Sequence, residues 1–190
     1  ARPGFGTGDD RMLGGLGTGV RLVPSPTVST TSPTDPGPTP GLSFRAAVAA
    51  DLPRVVELIA DDEVARARTG QIGPEHEAAF AAIAADPNNE LVVVEQDGRV
   101  VGTMQLTVIP GISRRGASRL LVEAVRVDRG LRGRGVGRAM MAWAHAWGRE
   151  RGCALAQLTS DKQRADAHRF YRSLGYEQSH EGFKLPLDPR

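Results

Sequence analysis

From Ser43 onward, apolar residues recur with two distinct periods, and the changes between them divide the chain into elements. "SFRAAVA" has the spacing of a strand. "DLPRVVELIADD" has that of a helix, with Asp51 as its cap and Pro53 in the first turn. A second helix is predicted over "GPEHEAAFAAIAAD", with Pro74 near its start and acids in the first turn. "ELVVVEQ" and "RVVGTMQLTVI" flank Asp97-Gly98, which is a hairpin signal. After a loop, "IPGISRRGAS", the next strand is "RLLVEAVRVD". "GVGRAMMAWAHAWGRERG" then places Val136, Met140, Ala144 and Trp147 on one helical face, with Gly152 just past its end. "ALAQLTS" is a strand, "RADAHRFYRSLG" a helix ending at Gly175, and "YEQSHEGFKLPL" a closing strand. The order β-α-α-β-β-β-α-β-α-β predicts an α/β domain built on one mixed sheet.

Residues 1–42 show neither period. Glycine-rich patches ("GFGTG", "GGLGTG") lead into "PSPTVSTTSPTDPGPTPG", a composition that buries too little surface to offset its ordering entropy. A disordered tail is expected over 1–42 and the folded domain over 43–190, which suits a length of 190 residues. No apolar run approaches the roughly 20 residues of a membrane span, and the start lacks an apolar signal region. The expectation is therefore a cytoplasmic protein with no membrane partner. The single Cys153 fits a reducing compartment. It follows Gly152 and leads into an apolar strand, so a structural thiol is expected there rather than a nucleophile. A net charge of +2 is too small for a dedicated nucleic-acid binder, which makes any cationic footprint local.

That footprint is "RGLRGRGVGR", residues 129–138, lying between a strand and a helix. The first turn of a helix carries unpaired N–H groups and the positive end of the macrodipole. Glycines leave those N–H groups open to an anion, and arginines add forked donors matched to phosphate oxygens. A pyrophosphate fits; a basic, solvated turn is the alternative. A dinucleotide fingerprint is disfavoured because Gly133, Gly135 and Gly137 are followed by Arg138 instead of completing G-x-G-x-x-G. A P-loop fails for want of Gly-Lys-Ser/Thr.

The run Arg132-Gly133-Arg134-Gly135-Val136-Gly137 matches R/Q-x-x-G-x-G/A, and "DAHRFYRSLGYEQSHEGFKL" carries an "FY..LG(F/Y)" signature downstream of it. In this order and spacing, over about residues 43–187, the chain resembles the GNAT superfamily of acyl-CoA-dependent N-acetyltransferases. The resemblance implies a mixed, mostly antiparallel, twisted sheet flanked by helices, with acetyl-CoA as co-substrate and no metal. It implies that the N–H groups of Arg132, Gly133, Arg134, Gly135, Val136 and Gly137, with Arg138, cradle the pyrophosphate. Val125 and Val127 would pair their backbone with the pantetheine arm. Where many relatives carry an asparagine seven residues before Tyr171, this chain has Arg164, which suits a phosphate instead.

Tyr171 matches the family's general acid. An ordinary tyrosine pKa of about 10 lies above a thiol's roughly 8.5, which suits donation to a forming thiolate. Taken alone, Tyr171 is equally a helix aromatic packed on the sheet. Glu123 is the one acid in an otherwise apolar strand, and regular alternation puts it on the face of Val125 and Val127. It is the candidate base, acting directly or through water; an exposed glutamate paired with an arginine is the other reading. The four histidines lack metal-ligand spacing. The expected acceptor is the primary amine of a small molecule, attacking directly in a ternary complex, with no nucleic acid involved. Asp61, Asp62, Glu63, Glu75 and Glu77 could attract a cationic amine or simply solvate helices, and Arg114 and Arg115 could hold an anionic substituent. The resemblance also suggests a homodimer. The competing class is a non-catalytic acyl-CoA-binding sensor on the same fold.

Overall fold

The computed structural model describes residues 41–61 and 69–187. The predicted tail therefore lies almost wholly outside the described residues, as do Asp62 and Glu63. Four strands run antiparallel in chain order: β1 (Leu42–Ala46), β2 (Asn89–Gln96), β3 (Arg99–Ile109) and β4 (Ser118–Val127). A fifth, β5 (Cys153–Gln157), joins β4 in parallel, giving a mixed sheet of order β1-β2-β3-β4-β5. The helices are α1 (Leu52–Ile59), α2 (Pro74–Ala85), α3 (Val136–Glu150) and α4 (Ala165–Ser173).

Helices cover both faces of the sheet, and for that reason β2 is a continuous apolar run. Val92 and Val94 point into the larger core, where Met104, Leu106, Leu120 and Val122 meet Met140, Ala144 and Trp147 of α3. The intervening Leu91 and Val93 point the other way, toward Val55 of α1 with Phe80 and Ile83 of α2. The predicted stripe on α3 is buried along its whole length, from Val136 at 1% exposure to Trp147 at 1%. Trp147 donates from Nε1 to the Glu90 carboxylate at 2.8 Å, and the Arg151 guanidinium lies over its ring at 3.8 Å. At the hairpin, Asp97 (φ +52°) and Gly98 (φ +74°) supply the two left-handed residues of a tight two-residue turn.

Asp51 does not cap α1. Its carboxylate reaches back to accept from the Val48 N–H at 2.8 Å, and it also takes the forked guanidinium of Arg45, at 2.6 and 2.9 Å. Arg45 bonds Glu95 as well, which joins β1, β2 and the turn into α1. The guanidinium holds the Asp51 carboxyl below the usual carboxylate range. A carboxyl lowered in the folded state stabilises the fold above its unfolded value near 3.9, and that contribution is lost as pH falls through the lowered one. Asp51→Asn should therefore cost about 1–2 kcal/mol at neutral pH, discounted for the half-exposed arginine. Chemical melts of both proteins should converge as pH drops from about 5 toward 2; a gap independent of pH would contradict the assignment.

The predicted closing strand is not formed. Residues 177–187 carry no strand pairing, and Phe183, Leu185 and Leu187 are 93%, 81% and 92% exposed. Alternation specifies which side chains share a face, but a strand gains its stability from a cross-strand partner. This segment is interrupted by Gly182 and by Pro186, which has no N–H to give. Cys153 is half-buried on β5, and burial pushes its thiol up, which suits a structural role. Among the described residues, no helix is long and apolar enough to cross a membrane.

Candidate active site

The site begins where the one parallel pairing among the described residues ends. β5 pairs with β4 from Ser118 to Leu121 and stops at Gln157, whereas β4 continues to Val127. On that side, the backbone of residues 122–127 has no strand partner among the described residues. An extended ligand arm laid along it would meet the hydrogen-bonding groups of a strand edge.

Within this stretch β4 is bulged. Glu123 stands opposite Gln105, but Arg126 stands opposite Thr103, so β4 carries one extra residue, and Ala124 adopts φ +50°. The bulge reverses the alternation. Glu123 and Arg126 share the face of Gln105 and Thr103, while Val127, opposite Gly102, packs with the core beneath α3. The expectation that Glu123 shares a face with Val127 is thus corrected, because simple alternation presumes an unbroken ladder. Glu123 is exposed, immediately before the bulge. At the bulge, the Val125 carbonyl accepts from Arg126 Nη1 at 2.9 Å.

At the end of β4 the glycine-arginine segment forms a compact turn. Asp128 donates from its N–H to the Val101 carbonyl at 2.8 Å, and its carboxylate accepts from the Gly130 N–H at 2.9 Å. The N–H groups of Arg132 and Arg134 are used inside the turn, bonding the carbonyls of Arg129 and Leu131 at 3.3 and 3.4 Å. Both N–H groups are thus engaged within the turn itself. What remains is Gly133 (φ +74°), Gly135 (φ +87°) and the first-turn N–H groups of Val136, Gly137 and Arg138. An L side chain at either left-handed position would cost about 1–2 kcal/mol. Gly137 is less constrained: a Cβ there would lie 3.4 Å from Phe170 Cζ of α4, an ordinary van der Waals contact. This set of N–H donors at a helix start, rimmed by Arg134 and Arg138, fits a diphosphate.

The arginines divide their roles. Arg138 reaches α4, donating to Ser173 Oγ at 3.2 Å, and lines a shallow groove of about 250 Å³ with His145, Arg149 and Leu174. Arg129 and Arg132 turn back to Asp61, just past α1. Arg164 sits at the start of α4, with its N–H on the Asp161 carbonyl at 3.0 Å.

Tyr171 is packed between Phe170 (centroids 5.2 Å) and Tyr176 (5.9 Å), so the packing and chemical readings of this residue coexist. Burial pushes its phenol up, while Arg126 and Arg164 pull it back, leaving a protonated hydroxyl at neutral pH. That places Tyr171 within electrostatic reach of Arg126, three residues beyond Glu123 on the same strand. Behind it, Tyr176 Oη and His145 Nε2 are 2.8 Å apart. Burial pushes Tyr176 up to about 12 and His145 down, so this pair is neutral at physiological pH.

Sequence reasoning missed Arg126, His145 and Tyr176 as parts of this neighbourhood, and singled out Asp61 only as an acid that could attract the acceptor amine, not as a partner of the glycine turn. Only Tyr176 carried a signal, as the last residue of the "FY..LG(F/Y)" signature. Arg114 and Arg115 are not brought in. They occupy a left-handed turn before β4 (φ +53° and +61°), seven or more residues from Glu123 and so on the order of 20 Å along the strand. Among the described residues, no group of three or more His, Cys, Asp or Glu could hold a metal ion.

Comparison with known proteins agrees with this geometry. The sequence profile of the Acetyltransferase (GNAT) family matches residues 53–176. An aminoalkylphosphonate N-acetyltransferase of Salmonella typhimurium is 36% identical over 108 residues, covering 57% of this chain and 70% of the relative. A solved structure from Bacillus halodurans C-125, described as a transcriptional regulator, is 40% identical with a TM-score of 0.74, covering 77% of this chain and 99% of the other. An acetyltransferase of Trypanosoma brucei is 26% identical with a TM-score of 0.64, covering 77% and 99%. The chain belongs to the GNAT family and is an acetyl-CoA-dependent N-acetyltransferase.

Proposed function

We propose that this protein transfers the acetyl group of acetyl-CoA directly to the primary amine of a small molecule, with both substrates bound together. The observation that carries the proposal is the edge of β4 left without a strand partner where β5 stops, running on into the glycine turn at the start of α3. The protonated Tyr171 lies within electrostatic reach of Arg126 on that edge. In this reading the diphosphate lies on the N–H groups of Gly133, Gly135, Val136, Gly137 and Arg138, and Arg164 adds a cation. The pantetheine arm follows the backbone at Val125 and Val127. Glu123 removes a proton from the ammonium form of the acceptor, directly or through one water. The amine then forms the C–N bond as the C–S bond breaks, the Tyr171 hydroxyl gives its proton to the departing sulfur, and the second proton shed by the nitrogen as the amide forms returns through water to the tyrosine. Domain bounds of 43–190, a cytoplasmic setting and a homodimer complete the proposal.

The Salmonella relative acts on aminoalkylphosphonates, and these compounds head the acceptor panel. Thiol release from acetyl-CoA, followed across aminoalkylphosphonates, aminoglycosides and simple primary amines, tests the assignment. Turnover with a small amine is expected. Tight CoA binding with no turnover on any amine would show a sensor instead. Glu123→Gln should lower kcat by about 100-fold at neutral pH, the usual range for a lost base, with part of the rate restored at high pH, where the amine arrives neutral. An unchanged rate would assign the proton to solvent.

A further inference from the structure

Helix α1 grips the glycine turn at two points, and the second has a consequence for the donor. At its first turn, Arg54 donates from Nε to the Val100 carbonyl at 3.1 Å, and its guanidinium pairs with the Asp128 carboxylate. That carboxylate also holds the Gly130 N–H, so this contact fixes the beginning of the turn. Past the other end of α1, Asp61 takes two arginines of the turn at once. Arg129 Nε lies 2.7 Å from Asp61 Oδ1, and the Arg132 guanidinium pairs with Oδ2. Arg129 also donates to the Asp61 main-chain carbonyl, and Arg132 Nε bonds the Val127 carbonyl at 3.2 Å.

A single carboxylate, 23% exposed, here faces two half-exposed guanidinium forks from the turn that runs directly into Gly133 and Gly135. Its two oxygens occupy the donors that would serve two phosphate oxygens. We infer that Asp61 is a positioning residue that stands in for the donor's diphosphate, holding Arg129 and Arg132 until the donor arrives and yielding Arg132 to it. The inference rests on the donor site proposed above. A carboxylate at the rim of an anion site opposes the incoming charge, and the same contact, re-formed, assists departure of the CoA product. Asp61 thereby weakens donor affinity and keeps the arginines ordered.

Calorimetric titration of the full chain with CoA tests this, using Asp61→Asn, Arg132→Gln and the double variant. Asp61→Asn should bind CoA roughly 5- to 10-fold more tightly, the low end of typical coupling between two sites. Arg132→Gln should bind more weakly. The gain from Asp61→Asn should be largely lost in the Arg132→Gln background, a non-additivity that a purely structural role would not produce. Thermal melts confirm that each variant is folded. If Asp61→Asn binds CoA equally or more weakly while wild type binds normally, the competition is refuted and Asp61 only braces the turn. If wild type itself fails to bind CoA, the donor site is wrong and this inference falls with it.

Discussion

Tyr171→Phe should lower kcat by about 100-fold while leaving the KM for acetyl-CoA within a few-fold, since the lost group acts on the sulfur only as the C–S bond breaks. The substitution removes one oxygen and keeps the ring, so the contacts with Phe170 and Tyr176 survive and the melting temperature should barely move. The pH profile separates this outcome from a packing defect. Burial raises the phenol, so in wild type the activity lost to Tyr171 ionisation should appear only above the ordinary tyrosine value near 10. In the variant that limb should be absent. A kcat within threefold of wild type would remove Tyr171 from the chemistry and leave the thiolate to be protonated by solvent.

The largest effect on stability is expected from Trp147→Ala, at about 3–5 kcal/mol. Trp147 is 1% exposed and fills the space between α3 and the sheet, and its removal also strips Glu90 of an N–H donor and Arg151 of the ring beneath it. Against a typical total of about 5–15 kcal/mol, such a loss leaves little margin at 37 °C. Trp147→Phe should recover most of the volume but not the hydrogen bond, and so cost roughly 1–2 kcal/mol. Urea melts of the two variants measure both quantities. A cost below about 1 kcal/mol for the alanine variant would mean that the core around α3 collapses freely around the loss.

Both residues illustrate what the sequence made legible. The stripe Val136-Met140-Ala144-Trp147 identified α3 and its buried face because helical periodicity is a property of one segment alone. The Asp97-Gly98 turn was equally local, as was the glycine-arginine segment that leads into the start of α3. Features that depend on two segments were not legible. The Ala124 bulge carries no glycine to announce its left-handed backbone, and it exists only through the register with β3, so the facing of Glu123 was misread. Asp51 stood where a helix cap belongs, but Arg45 on a neighbouring strand outcompeted the helix N–H groups for its carboxylate. Phe183, Leu185 and Leu187 alternate as a strand should, yet alternation cannot supply the partner that a strand needs. The pairing of Asp61 with Arg129 and Arg132 spans about 70 positions, a separation at which spacing carries no information.

The sheet also joins two folding regimes. β2, β3 and β4 follow one another with short antiparallel connections, which close cheaply and early, whereas β5 reaches β4 only after the whole of α3 has crossed over. The free edge of β4 is a by-product of that short pairing. The proposed donor site thus borders a pairing that closes over more chain than the β2-β3-β4 meander needs, while the meander that carries Glu123 stands largely without it. Opening at this seam would dissolve the proposed donor site while leaving β1 to β4 paired. In the proposed binding mode the donor bridges β4 and the start of α3, and so fastens a seam that the sheet itself closes over only four residue pairs.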